Sequence, residues 1–381
     1  IEGARGVRAR FVAWADGEGS GSDPRLEDLI AAGDAAGVPA PQEPGRVVIL
    51  TSGTTGKPKG ARRSHAGLGS AAALLSKIPY RARETTMIAA PLFHSWGLAN
   101  YTLGVPLGST FVLRRRFDPE GTLEAVARSR ATALVVVPVM LQRILELPDE
   151  VLDRHDVSSL RIIAVSGSAL PGPLATRVMD RFGDVLYNLY GSTEVAWATI
   201  ATPEDLRAAP GTAGRPPLGT IVKLFDEHDR EVPPGDTGRI FVASGFPFEG
   251  YTGGETKATI GDLMSSGDVG HFDPAGRLFV DGRDDDMIIS GGENLFPSEV
   301  EDLLAGHPAI REVAVVGVED EDWGQRLKAV VALHEGASAS DEELKAYVKQ
   351  NLAAFKVPRE VVFVDALPRN ATGKVLKREL A

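Results

Sequence analysis

Thr51-Ser52-Gly53-Thr54-Thr55-Gly56-Lys57-Pro58-Lys59-Gly60 follows the apolar run Val47-Val48-Ile49-Leu50 and precedes an Ala/Leu-rich stretch from Gly67 to Ser76. The apolar run has the composition of a buried strand, and the Ala/Leu stretch that of a helix. A strand, a loop of glycines and hydroxyls with two lysines, and then a helix make a cradle for phosphate. Glycines let backbone N–H groups approach an anion closely, and hydroxyls and ammonium groups add donors. The loop is not a Walker A sequence, which needs Gly, four residues, then Gly-Lys-Ser/Thr; here Pro58 follows Lys57. The plain alternative is a Gly/Ser/Thr surface turn, and the density of hydroxyls and lysines after an apolar strand argues against it.

Around this loop, length and composition narrow the class. A chain of 381 residues is long enough for more than one core. Hydrophobic residues at 43% and charged residues at 24% suit a soluble globular protein. The 52 acidic residues outnumber the 41 basic ones, for a net charge of −11, which argues against a general nucleic-acid binder. Arg114-Arg115-Arg116 is a small local basic run, read as a solvated strand end. The absence of cysteine excludes disulfides, thiolate metal sites and cysteine catalysis. No apolar run reaches membrane-spanning length and the first residues do not read as a secretory n-region, so a cytoplasmic location is expected, with peripheral membrane association open. The chain begins at Ile1 and is expected to be a shortened form of a longer protein.

Along the chain, Arg8 to Trp14 reads as a strand, Leu26 to Ala32 as a short helix and Gly37 to Gly45 as loop. From Val47 strands and helices alternate. Strands are expected over 86–90, 109–113, 133–137, 160–165 and 185–189, with helices over 122–128, 139–147 and 173–182. That alternation predicts an α/β sheet with parallel pairings. From Gly211 to Gly250 the density of Gly, Pro and short β-like runs (221–225, 239–242) predicts a small β-rich subdomain. A short strand is expected at 278–280. The tail reads as a separate α/β unit. Ser298 with Glu301 and Ser340 with Glu343 fit capping boxes. Strands are expected over 312–318, 327–333 and 361–364, and Leu344, Tyr347, Val348 and Leu352 mark one helix face.

Several other stretches fall where a ligand would bind. Pro91-Leu92-Phe93-His94-Ser95-Trp96-Gly97 ends a strand. Ser166-Gly167-Ser168-Ala169-Leu170-Pro171 lies between a strand and a helix, at the carboxyl edge of the sheet, where open α/β folds bind ligands. Tyr190-Gly191-Ser192-Thr193-Glu194 follows the next strand in the same way. Glu194 offers a hard oxygen suited to Mg²⁺ beside a phosphate. Asp268, in Ser266-Gly267-Asp268-Val269-Gly270, can accept hydrogen bonds from ribose hydroxyls, with Arg283 nearby.

Taken in order, these motifs, with Gly282–Ile288, Gly291–Pro297 and Leu367–Lys374, resemble the adenylate-forming superfamily: acyl-CoA synthetases, firefly luciferase and peptide-synthetase adenylation domains. The resemblance covers nearly everything from Val47 on. It implies a large N-terminal domain, residues 1–284, of parallel-containing sheets with helices plus a small β-rich subdomain, and a small mobile α/β domain, residues 285–381. It implies that Thr51, Ser52, Gly53, Thr54, Thr55, Gly56 and Lys57 bind the ATP β- and γ-phosphates. Gly167, Ser168 and Ala169, with Asn188, Leu189, Tyr190, Gly191 and Ser192, would enclose the adenine. Thr193 and Glu194 would face the α-phosphate, with Glu194 on Mg²⁺; Asp268 and Arg283 would hold the ribose. Asp285 matches the hinge. Lys374 matches the lysine of the adenylation step, with His94 also at the reacting centre. Gly291, Gly292 and Glu293, with Asn294, match the loop lining the thiol tunnel. The activity implied is an ATP-dependent acyl-CoA ligase using ATP, Mg²⁺ and coenzyme A, with a fatty acid as the expected carboxylate and Trp96 as a candidate gate of its tunnel. An acyl-AMP ligase serving a carrier protein and a non-catalytic nucleotide-binding fragment are the alternatives. Family members carry a longer segment before the phosphate loop than the fifty residues here.

Overall fold

The computed structural model describes residues 25–33, 47–51, 59–63, 68–246, 248–252, 254, 256–284, 288–290, 293–320, 324–370 and 373–380. The chain divides into two compact units, Ile1–Gly45 and Arg46–Ala381. In the first, Leu26–Ala32 is the short helix expected from sequence; the strand expected over 8–14 and the loop over 37–45 lie outside the described residues.

The second unit is built on a six-stranded sheet. Its order is Thr110–Leu113, Thr85–Ile88, Ala133–Val136, Ile162–Val165, Leu186–Tyr190 and Thr199–Ala201. The first five are parallel, and Thr199–Ala201 closes the edge antiparallel. Parallel neighbours need crossovers, supplied by the helices Ser95–Gly104, Pro119–Ser129, Pro138–Leu145 and Gly172–Phe182. With both faces covered, the strands are apolar throughout: Ala133–Val136 and Ile162–Val165 are buried at every position. Each fully buried Val or Ile there stabilises the fold by about 1.5–3 kcal/mol. Local signals set the helix ends. Asp118 accepts from the Gly121 N–H at 2.6 Å with Pro119 in the first turn, and Gly183, at φ 85°, stops the helix Gly172–Phe182. After Thr85–Ile88 the chain steps out to Thr110–Leu113 and then returns to the opposite side at Ala133–Val136. That reversal puts a switch-point crevice at the carboxyl ends of Thr85–Ile88 and Ala133–Val136.

The phosphate-loop region differs from the expected strand, loop and helix. Val47–Thr51 pairs antiparallel with a second strand, Lys59–Arg63, so Lys59 and Gly60 belong to a hairpin arm rather than to the loop; the helix Leu68–Leu75 comes only after it. Val48 is 47% exposed, so the apolar run is not a buried strand throughout. Lys59–Arg63 pairs in turn with Phe248–Tyr251, and this three-stranded ladder supplies the pairing partners that make the arm a strand. Ser52 to Pro58 lie outside the described residues.

The β-rich segment is a five-stranded antiparallel sheet of Ile221–Phe225, Gly238–Ala243, Thr259–Ile260, Leu263–Phe272 and Leu278–Arg283. It reaches further along the chain than the expected 211–250. A second five-stranded sheet follows, of Ile288–Ser290, Glu293–Leu295, Ile310–Asp320, Gly324–Leu333 and Glu360–Phe363. It is apolar on both faces. Val315 joins Val300, Leu304, Leu344 and Val348 on the helix-covered side, while its neighbours Ala314 and Val316 meet Leu367 and Leu380 on the other. The expected capping box at Ser298 is absent. The helix Pro297–Ala305 starts with Pro297, and Ser298 Oγ donates instead to the Asp281 carbonyl, because Pro297 already fills the first helical position. Ser340 does cap Asp341–Asn351, accepting from Glu343 N–H at 3.1 Å. None of the described helices is long and apolar enough to cross a membrane.

Candidate active site

The carboxyl ends of the parallel strands turn sharply, and the sequence of each turn is fitted to it. Gly167, at φ 100°, follows buried Ser166 and leaves Gly167, Ser168 and Ala169 exposed at the sheet edge. Gly191 follows the strand Leu186–Tyr190, where Asn188 and Leu189 are buried. A Cβ at Gly191 would lie 2.0 Å from the Ala196 carbonyl oxygen, so only glycine fits. Beyond it, Ser192 Oγ accepts from the N–H groups of Glu194 and Val195 at 3.2 and 3.3 Å, winding the Ser192–Val195 turn that presents Thr193 and Glu194.

Asp268 and Arg283 face each other on adjacent antiparallel strands. Between them the ladder slips by one residue, and the slip decides the pairing. Gly270 faces Val280 and His271 faces Phe279, a register that would set Gly282 opposite Asp268. The extra residue, Asp281, brings Arg283 there instead, with Nε 3.6 Å from Asp268 Oδ1. Tyr190 donates its hydroxyl to Asp268 Oδ2 at 2.5 Å and lies 3.2 Å from Ser266 Oγ. Burial pushes the Asp268 carboxyl above the usual carboxylate range, while the Tyr190 hydrogen bond and the charges of Arg283, Lys374 and Lys257 pull the other way. Burial, then the Asp268 charge, keeps Tyr190 a neutral phenol.

Glu194 is held by Tyr251, whose hydroxyl donates to Oε1 at 2.5 Å. Burial opposes its ionisation, but the hydrogen bonds of Tyr251 and Ser192 and the charge of Lys257 outweigh it and hold its pKa below the usual range. Tyr251 lies on the strand that pairs with Lys59–Arg63, opposite Ala61, so the phosphate-loop hairpin is anchored beside Glu194. Among the described residues no cluster of three or more carboxylate or imidazole ligands exists. A single ionised carboxylate still suits Mg²⁺, which commonly takes one or two carboxylates and completes its shell with phosphate oxygens and water.

Lys374 reaches this edge from the far end of the chain. Asn370 and Lys374 close a turn: Asn370 N–H donates to the Lys374 carbonyl at 2.9 Å, and Lys374 N–H to Asn370 Oδ1 at 3.0 Å. Arg369 braces it, donating to the Gly373 carbonyl at 2.7 Å and pairing with Glu312 at 3.2 Å. Gly373, at φ 87°, packs so tightly that a Cβ would lie 2.8 Å from Val139 Cγ1 and 3.6 Å from Val137 Cγ2. Val137 directly follows Ala133–Val136, so the turn stands at the switch-point crevice.

His94 caps the helix Ser95–Gly104, its Nδ1 accepting from Trp96 N–H at 3.4 Å, and burial lowers its pKa, leaving it neutral near pH 7. Trp96, the candidate gate, packs inside the fold. It is 5% exposed and its indole N–H donates to the Val136 carbonyl at 3.0 Å, which makes it part of the core. Thr51 and Glu293 are strand residues, in Val47–Thr51 and Glu293–Leu295. Ser52, Gly53, Thr54, Thr55, Gly56, Lys57, Asp285, Gly291 and Gly292 lie outside the described residues. A cavity of about 910 Å³ lined by Lys77, Pro79, Tyr187, Glu204 and Arg207 shares none of the site residues. Tyr251 and Lys257 were missed by sequence reasoning. Neither belongs to one of the motifs read from the sequence, and only the tertiary fold brings Tyr251 to Glu194 and Lys257 beside Arg283.

The AMP-binding enzyme model matches residues 12–252, and the AMP-binding enzyme C-terminal domain model matches residues 299–374. The chain belongs to the AMP-binding enzyme family. It is 38% identical over 347 residues to an indoleacetate–CoA ligase of Aromatoleum aromaticum, covering 89% of this chain and 67% of the relative. It is 39% identical over 341 residues to a feruloyl-CoA synthase of an Amycolatopsis species, covering 88% and 69%. Among solved structures it matches the amide bond synthetase McbA from Marinactinospora thermotolerans with a TM-score of 0.79 and 32% identity, over 87% of this chain and 68% of that one. The chain thus spans about two thirds of the length of these relatives. Its class is that of the ATP-dependent acyl- or aryl-CoA ligases, which use ATP, Mg²⁺ and coenzyme A.

Proposed function

We propose that the protein activates an aromatic or arylalkyl carboxylate with ATP and transfers the acyl group to coenzyme A. The observation that carries this reading is the meeting of Asp268, Arg283, Tyr190, Glu194 and the Lys374 turn at one sheet edge. A carboxylate oxygen attacks the α-phosphorus of ATP and pyrophosphate leaves. The nucleophile is already an anion, so the step needs charge neutralisation and alignment rather than a general base. Asp268 and Arg283 hold the ribose, Lys374 approaches the reacting oxygens, and Thr193 turns toward the α-phosphate. Mg²⁺, when bound at Glu194, would neutralise phosphate charge. Thr51 to Lys57 receive the β- and γ-phosphates, and Gly167 to Ala169 with Asn188 to Ser192 surround the adenine. A thiol then attacks the acyl carbonyl and AMP leaves. Residues 285–381 act as a separate domain turning about Asp285, which withdraws Lys374 and brings Gly291 to Glu293 to the thiol path. The reading requires a compartment holding ATP and coenzyme A, the cytoplasm.

Two observations favour an aromatic acid over the fatty acid expected from sequence. The relatives named above are ligases of indoleacetate and ferulate, and Trp96, the candidate tunnel gate, is a core residue. The test is pyrophosphate release and thioester formation with indole-3-acetate, ferulate and medium- and long-chain fatty acids. Turnover of the aromatic acids is expected; turnover confined to fatty acids would reverse the substrate assignment. Adenylate formation without a CoA thioester would point to a carrier protein or an amine as acceptor, the latter in keeping with the likeness to an amide bond synthetase.

A further inference from the structure

Lys257 has no assigned role, yet it is half-buried beside Gly267 and Arg283. Its Nζ lies 3.1 Å from the position a Cβ would take on Gly267, and Arg283 Nη2 lies 3.5 Å from the same point. Two cations therefore stand side by side over one glycine, which at φ 81° leaves the room they use. Arg283 pairs with Asp268, whereas Lys257 has no carboxylate within ion-pairing distance among the described residues. Its charge acts on both Glu194 and Asp268, favouring the ionised form of each. A half-buried ammonium with no ion pair among the described residues, beside a second cation, makes an anion site.

We propose that Lys257 binds the α-phosphate of the nucleotide and stays on it through both half-reactions. This rests on the nucleotide reading given above. The 5′-phosphate hangs from the ribose that Asp268 and Arg283 hold, so a cation beside Arg283 and Gly267 meets the α-phosphate before the β or γ. Lys257 also sits on the part of the chain that carries Asp268. It therefore remains in place when Lys374 withdraws, and it offsets the charge that AMP carries away as the leaving group of the thiol step.

Titration calorimetry of AMP and of adenosine into the full chain tests this, with the parent, Lys257→Met and Lys257→Arg. Lys257→Met keeps the stem and removes the charge. AMP affinity is expected to fall about ten- to a hundredfold, adenosine affinity to stay unchanged, and Lys257→Arg to restore most of the loss. In turnover, Lys257→Met is expected to slow both pyrophosphate release and thioester formation from supplied acyl-adenylate. Unchanged AMP affinity, or equal losses for AMP and adenosine, would overturn the assignment. A parent chain that binds neither compound overturns the nucleotide reading itself, and the Lys257 assignment with it.

Discussion

Asp268 shows what a single residue gives up for function at this site. Burial raises its carboxyl pKa above the unfolded value of 3.8. The folded state then holds the proton more tightly than the unfolded chain. Its contribution to stability is present below about 3.8 and is lost as pH rises through the folded value. Asp268→Asn removes that loss, so its melting temperature at pH 7 is expected to equal or exceed the parent's. Its AMP affinity is expected to fall at least about tenfold, because the charged acceptor proposed for the ribose is gone. Thermal melts and calorimetry on the same samples check both halves. Lys374→Ala is expected to lower carboxylate-dependent pyrophosphate release about 100-fold or more, as loss of one preorganised charge-stabilising group does. Thioester formation from supplied acyl-adenylate should be spared, and a variant that slowed both steps alike would refute the proposed division of labour.

Elements, more than single motifs, position Glu194, the carboxylate proposed to hold Mg²⁺. Glu194 sits on a turn that only Gly191 permits, yet its orientation comes from Tyr251 on a distant strand. Tyr251→Phe is expected to raise the Mg²⁺ concentration for half-maximal adenylation about tenfold, the usual cost of losing a second-layer hydrogen bond. The lost bond lowers the Glu194 pKa in the parent, so the acidic limb of the pH–rate profile is also expected to move to higher pH. A metal titration at several pH values separates the two effects. The hairpin Val47–Arg63 belongs to the same scale. Its first arm reads correctly as a strand, while its second arm, Lys59-Gly60-Ala61-Arg62-Arg63, has no alternating apolar pattern to betray it. That arm is a strand because Val47–Thr51 and Phe248–Tyr251 pair with it on both sides, and backbone pairing with a partner almost two hundred residues away leaves no local signal.

At the scale of the whole molecule, the Lys374 turn meets the main sheet through Gly373 on Val137 and Val139, and Gln142 Nε2 donates to the Arg311 carbonyl at 2.6 Å. Val139→Phe adds bulk where Gly373 packs. It is expected to slow adenylation about tenfold or more, since small misplacements of a catalytic group are costly, and to spare the thiol step; separate half-reaction assays read the difference. The sequence by itself determined the alternating parallel sheet, because strands buried on both faces must be continuously apolar. It also determined the motif positions at the strand ends, because tight turns and anion contacts demand Gly, Ser and Thr there. The tertiary structure alone decided that Trp96 is core and that Lys59 lies on a strand. It alone set Arg283 opposite Asp268 through one extra residue, brought Tyr251 to Glu194 and set Lys257 beside Arg283. Those outcomes depend on burial, register and partners far away in the chain, none of which a local stretch of residues encodes.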